Sequence, residues 1–154
     1  MPTRKPIILC VDDQESGLVA RTLLLEAEGY EILTAADGRS GLQAFVSQPV
    51  DAVILDYQMP EMNGDEVASQ MKRVKPEVPI LLLSGYSRLP DEKLNAVDAF
   101  LSKSEPVAIF LASVQQLLNG SSFFSRWLGH WKYRVSSRDS SGLKNGSCRK
   151  GEML

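Results

Sequence analysis

Cysteine is scarce in this chain. There are two, Cys10 in a short apolar run and Cys148 near the end, so there is no disulfide framework, and the usage suits a reducing cytosol. Long apolar runs are missing too. No stretch of about 18 apolar residues exists, which argues against a transmembrane helix. After Met-Pro-Thr-Arg-Lys-Pro the first apolar run covers only residues 7–11, too short for the core of a signal peptide. The expected location is therefore the cytoplasm. What remains is ordinary: 154 residues with 23% charged and 44% apolar side chains, enough for one soluble globular domain with its own core.

The net charge of −2 hides an asymmetry. Residues 1–119 carry 10 Lys/Arg against 17 Asp/Glu, net −7, while residues 120–154 carry 7 against 2, net +5. The split marks a boundary near Asn119-Gly120, between a domain over 5–119 and a basic tail.

Within the domain, apolar runs alternate with helical patterns. Strands are expected at 7–11, 31–35, 51–56, 79–84 and 98–102. Helices are expected at 15–28, 39–47, 65–74 and 105–118, with a weaker one at 90–96. Gly29 is placed to end the first helix. Leu42, Phe45 and Val46 group on the second, and Val107, Phe110, Leu111, Val114, Leu117 and Leu118 form a stripe on the last. Five strands alternating with helices imply an α/β, doubly wound, parallel sheet with right-handed crossovers.

Each strand that can carry chemistry ends on a polar residue. Ile-Ile-Leu-Cys-Val runs into Asp12-Asp13, Ala-Val-Ile-Leu into Asp56, Ile-Leu-Leu-Leu into Ser84, and Ala-Phe-Leu-Ser into Lys103. In a parallel sheet all strand C-termini open on one edge, where ligands bind. Three carboxylates, a hydroxyl and an ammonium on one edge make a site for magnesium and a phosphoryl group. A lone aspartate after a strand is as often a helix cap, and a lone lysine is usually a surface residue; the full set in order argues otherwise.

The set resembles the receiver domain of two-component response regulators, over residues 5–119. The matching pieces are Val11-Asp12-Asp13, Leu55-Asp56-Tyr57-Gln58-Met59-Pro60-Glu61-Met62-Asn63-Gly64, Ser84-Gly85 and Lys103. The resemblance implies the flavodoxin-like strand order 2-1-3-4-5. It also implies a stand-alone phosphoacceptor with no activity beyond its own phosphorylation and dephosphorylation. Asp56 would accept the phosphoryl group. Mg²⁺ would be held by Asp13, Asp56 and the Gln58 backbone carbonyl, with Asp12 acting through a water. Ser84 and Lys103 would contact phosphoryl oxygens, Gly85 would leave room for them, and Phe100 would be an aromatic switch. The implied partners are a histidine kinase or phosphotransfer protein, a downstream protein and a second copy of the chain.

Two other readings compete. An aspartyl-phosphate hydrolase of the haloacid dehalogenase type wants Asp-x-Asp, and Asp56-Tyr57-Gln58 lacks the second acid. A receiver-fold scaffold without chemistry would not need the full residue set. Residues 120–154 are too few for a helix-turn-helix domain, so direct DNA binding is not expected.

One departure from the family pattern stands out. Proline usually follows the lysine, often with a cis bond, and here Ser104 follows Lys103, with Pro106 later. Either a strained cis bond or a trans bond with a different lysine approach follows. In the tail, Phe123, Phe124, Trp127, Leu128 and Trp131 beside Arg126, Lys132 and Arg134 suggest an amphipathic helix over 120–135, suited to weak contact with an anionic membrane surface or to docking. Residues 136–154 read as disordered.

Overall fold

The computed structural model describes residues 4–120; the expected tail helix and its membrane contact lie outside the described residues. The chain alternates β1 (Ile7–Val11), α1 (Glu15–Ala27), β2 (Glu31–Ala35), α2 (Gly38–Ser47), β3 (Ala52–Asp56), α3 (Gly64–Val74), β4 (Ile80–Ser84), a 3₁₀ helix (Asp91–Leu94), β5 (Ala99–Ser102) and α4 (Val107–Asn119). All neighbouring strands pair in parallel, in the order β2-β1-β3-β4-β5. The expected strand count, direction and order are all present.

Period-two side chains explain why the sheet is covered on both faces. Leu9 and Val11 of β1 face a core shared with Phe45 of α2 and with Val67, Ala68 and Met71 of α3. Ile8 and Cys10 face the opposite core, with Leu18 and Leu25 of α1 and Phe110, Val114 and Leu117 of α4. β3 and β4 are buried along their whole length, which is why they read as unbroken apolar runs.

Helix α1 ends as expected. Gly29 adopts a φ of +97°, its N–H donates to the Glu26 carbonyl, and the Tyr30 N–H donates to the Leu25 carbonyl. This is a Schellman cap, and the left-handed residue is the one without a Cβ.

Three sequence expectations need correction. The helix expected at 90–96 is a single 3₁₀ turn, Asp91–Leu94. Pro90 holds an extended backbone before it, and only Leu94 within it is buried, so no apolar stripe exists to pull a longer helix onto the sheet. Val46 does not join Leu42 and Phe45; it is 56% exposed. Val107, at the start of α4, is likewise exposed because Pro106 sets the helix entry one turn away from the core stripe.

Candidate functional site

The strand register brings the polar ends together. Val11 pairs with Leu55, Asp56 with Leu83, and Ser84 with Ser102. Asp12 extends the β1 ladder by one residue, its N–H donating to the Ala35 carbonyl at 3.1 Å. The Lys103 N–H donates to the Ser84 carbonyl at 2.7 Å. Asp12-Asp13, Asp56, Ser84 and Lys103 therefore line the C-terminal edge of four neighbouring strands.

Asp12, Asp13 and Asp56 each present an oxygen within 4.8 Å of the others. Asp12 and Asp56 are buried, and Asp13 is exposed. Lys103 Nζ lies 2.7 Å from Asp56 Oδ1 and 3.5 Å from Asp12 Oδ2. Burial pushes the Asp56 carboxyl above the ordinary carboxylate range, and the charges of Asp12 and Asp13 push the same way, while Lys103 opposes them. Clustered hard oxygen donors of one charge sign suit a small divalent cation, which relieves their repulsion.

The loop after Asp56 depends on one glycine. The Gly64 N–H donates to the Tyr57 carbonyl at 2.7 Å, and a Cβ on Gly64 would lie 2.4 Å from the Asp56 carbonyl oxygen and 3.0 Å from Tyr57 Cα. The loop folds back onto β3 only because residue 64 has no side chain. Glu61, at φ 72°, takes the left-handed turn within it. Gln58 lies on this loop, and its side-chain amide donates to the Tyr86 hydroxyl at 3.4 Å. Tyr86, half exposed after β4, carried no sequence signal of that contact.

Ser84 is fully buried, and its Oγ accepts the Tyr86 N–H at 3.0 Å. A Cβ on Gly85 would meet nothing within 4 Å, so there is open space beside it. Phe100 is a packed core aromatic, 1% exposed and paired in register with Leu82. Among the described residues there is no cis peptide bond, so Lys103-Ser104 is trans. The serine takes over the turn: Ser102 Oγ accepts the Ser104 N–H at 3.2 Å and lies 2.9 Å from Ser104 Oγ, and the Glu105 N–H donates to the Ser102 carbonyl at 3.1 Å.

One residue of the site was not expected. Arg21, in the second turn of α1, sends Nη2 to Asp12 Oδ2. In the sequence it looks like any charged helix residue. The only available signal is Gly17, one turn earlier on the same helix face.

A family model described as the response regulator receiver domain matches residues 8–114. The transcriptional regulatory protein GlrR of Escherichia coli K12 is 36% identical over 84 residues, 54% of this chain; the chain spans 19% of GlrR's length. The response regulator TrrA of Thermotoga maritima, solved in complex with Mg(2+)-BeF, is 36% identical over 73% of this chain and 99% of its own, with a TM-score of 0.70. TrrA was also solved in complex with the histidine kinase ThkA; that chain is 37% identical over 73% of this one and 98% of its own, with a TM-score of 0.69.

Proposed function

Since the chain belongs to the response regulator receiver family of two-component signalling, we propose that Asp56 is its phosphoacceptor. The observation that carries this reading is the juxtaposition of Asp56 with both Lys103, at 2.7 Å, and the carboxylates of Asp12 and Asp13. A buried carboxylate whose basicity is raised is a competent nucleophile toward phosphorus. One Asp56 oxygen attacks the donor's phosphoryl group, the donor's bond to phosphorus breaks, and an acyl phosphate remains on the chain. Lys103 turns from the Asp56 carboxylate to a phosphoryl oxygen as a point charge. Ser84 Oγ keeps its own proton free while accepting the Tyr86 N–H, so it has a donor for a second phosphoryl oxygen. Asp13, Asp56 and the Gln58 carbonyl would hold Mg²⁺, with Asp12 acting through a water, and the cation supplies neutralisation of the phosphoryl charge.

The donor class is a histidine kinase or phosphotransfer protein, a reading supported by the TrrA–ThkA complex. The output is a shift between two states. Drawing Ser84 toward the phosphoryl group releases the Tyr86 N–H, biasing the β4–β5 connection toward a downstream partner.

The test uses acetyl phosphate and Mg²⁺ with the full chain. Mass spectrometry should find a hydroxylamine-sensitive phosphate on Asp56, and Asp56→Asn should take up none. Equal uptake by the variant would remove Asp56 from the role.

A further inference from the structure

The cation side of the site is already crowded by the chain's own charges. Asp12 Oδ1 accepts the Gln14 N–H at 2.9 Å. Asp12 Oδ2 pairs with Arg21 Nη2 and has Lys103 Nζ at 3.5 Å. Both oxygens of this buried carboxylate are taken by internal donors.

Arg21 is held there at a cost. Its side chain is 14% exposed, and its Nε is buried without a hydrogen-bond partner. A guanidinium that leaves one donor unmet in order to aim another at Asp12 is not a surface charge at rest. Helix α1 makes the approach feasible through Gly17: a Cβ at that position would lie 3.0 Å from Arg21 Nη2 and 3.2 Å from Asp12 Oδ2. The small residue and the long one, four apart on one face, form a channel and its occupant.

We propose that Arg21 is an internal rival of the divalent cation for Asp12 and sets the cation affinity of the site; this rests on the reading of Asp12, Asp13 and Asp56 as the Mg²⁺ site. Three carboxylates give the cluster its affinity for a cation, and each fixed positive charge beside them subtracts from it. Lys103 is shared with the phosphoryl group. Among the described residues the ion pair of Arg21 is with Asp12 alone, and a guanidinium does not lose its proton, so its claim on Asp12 persists at every working pH. Cation loading then requires Asp12 Oδ2 to let Arg21 go. Arg21 is a positioning residue here; it acts through Asp12.

The test is calorimetric titration of Mg²⁺ into the full chain without a phosphoryl donor, at fixed ionic strength. Arg21→Gln should bind Mg²⁺ about tenfold more tightly than the native chain, and Arg21→Lys, which keeps the charge on a shorter reach, should fall between them. A purely structural pair predicts the opposite sign, since removing Arg21 would leave Asp12 with only the Gln14 N–H and the more distant Lys103, and the edge less ordered. In the native chain, the Arg21 Nε–H resonance should shift along the same binding curve as the calorimetry, which keeps the proposal testable even if a variant fails to fold. Unchanged or weaker binding in Arg21→Gln, or a stationary Arg21 resonance while the native chain binds Mg²⁺, overturns the rivalry alone. Absence of saturable Mg²⁺ binding in the native chain overturns the site reading, and the rivalry with it.

Discussion

Asp56 shows how a buried acid weakens the structure that holds it. Its folded carboxyl lies above the ordinary value because burial and two neighbouring acids disfavour its charge. The sign follows from linkage. With the folded value above the unfolded one, the carboxyl favours folding while protonated, and that contribution is lost as pH rises through the folded value. Asp56→Asn carries no charge to bury. It should exceed the native chain in stability near neutral pH by about 1 kcal/mol. The margin should shrink as pH falls toward the ordinary carboxylate value of about 3.9. Urea midpoints at a series of pH values, in chelator, measure this; a margin that grows on acidification would contradict the assigned direction.

At the scale of elements, acids at the N-terminal edge of the sheet tie its segments together. Asp51 and Asp98 are both held there by donors. Asp51 accepts the Ile7 N–H at 2.7 Å and pairs with Arg4; Asp98 accepts the Ile80 N–H and Lys72 Nζ, both at 2.8 Å. Lys72 Nζ also donates to the Val78 carbonyl at 2.8 Å, so one cluster ties the end of α3 to the starts of β4 and β5. Asp98→Ala leaves the buried Ile80 N–H without that acceptor and should cost about 2 kcal/mol. Asp98→Asn, which keeps an acceptor, should cost less. The urea midpoint should drop with the slope unchanged, and phosphate uptake should persist, because the cluster lies at the other end of the strands from Asp56.

Contacts of this kind bear on what the sequence could and could not reveal. The strands were legible because each apolar run stops at a polar residue, and Asp12, Asp13, Asp56, Ser84 and Lys103 were legible because those stops coincide with strand ends. At the 3₁₀ turn, Pro90 and Asp91 suggest a short helix start, while the stripe that sustains a helix is absent. Asp98 and Lys72 act through a contact between distant segments, of which a periodic pattern along one segment contains no trace, and for Arg21 the small residue Gly17 is a faint signal. Val46 and Val107 are apolar and so read as core, but α2 turns Val46 outward and Val107 stands at the exposed first position of α4.

For the molecule as a whole, the charge division is the feature to test. The acidic part to Asn119 contains every expected site residue, and the basic remainder contains none. A chain ending at Asn119 should therefore take up phosphate from acetyl phosphate at the native rate. A large loss would show that residues beyond Asn119 contribute to the fold or to the site.

The short 3₁₀ crossover has a kinetic consequence. Strands β4 and β5 are buried and fixed by their ladders, but the segment joining them belongs to no ladder; its contacts include the Tyr86 N–H on Ser84 Oγ, the Lys93 N–H on the Pro90 carbonyl, the Val97 N–H on the Leu94 carbonyl, the Lys93–Asp65 ion pair and the apolar contacts of Leu89, Leu94, Ala96 and Val97. A segment outside the ladders, with one short 3₁₀ turn, opens at a free energy below that of global unfolding. Amide protons over residues 85–93 should thus exchange with solvent far sooner than those of 80–84. The part of the chain that begins at Tyr86, directly after Ser84, is able to rearrange many times within the lifetime of one folded molecule without either strand letting go.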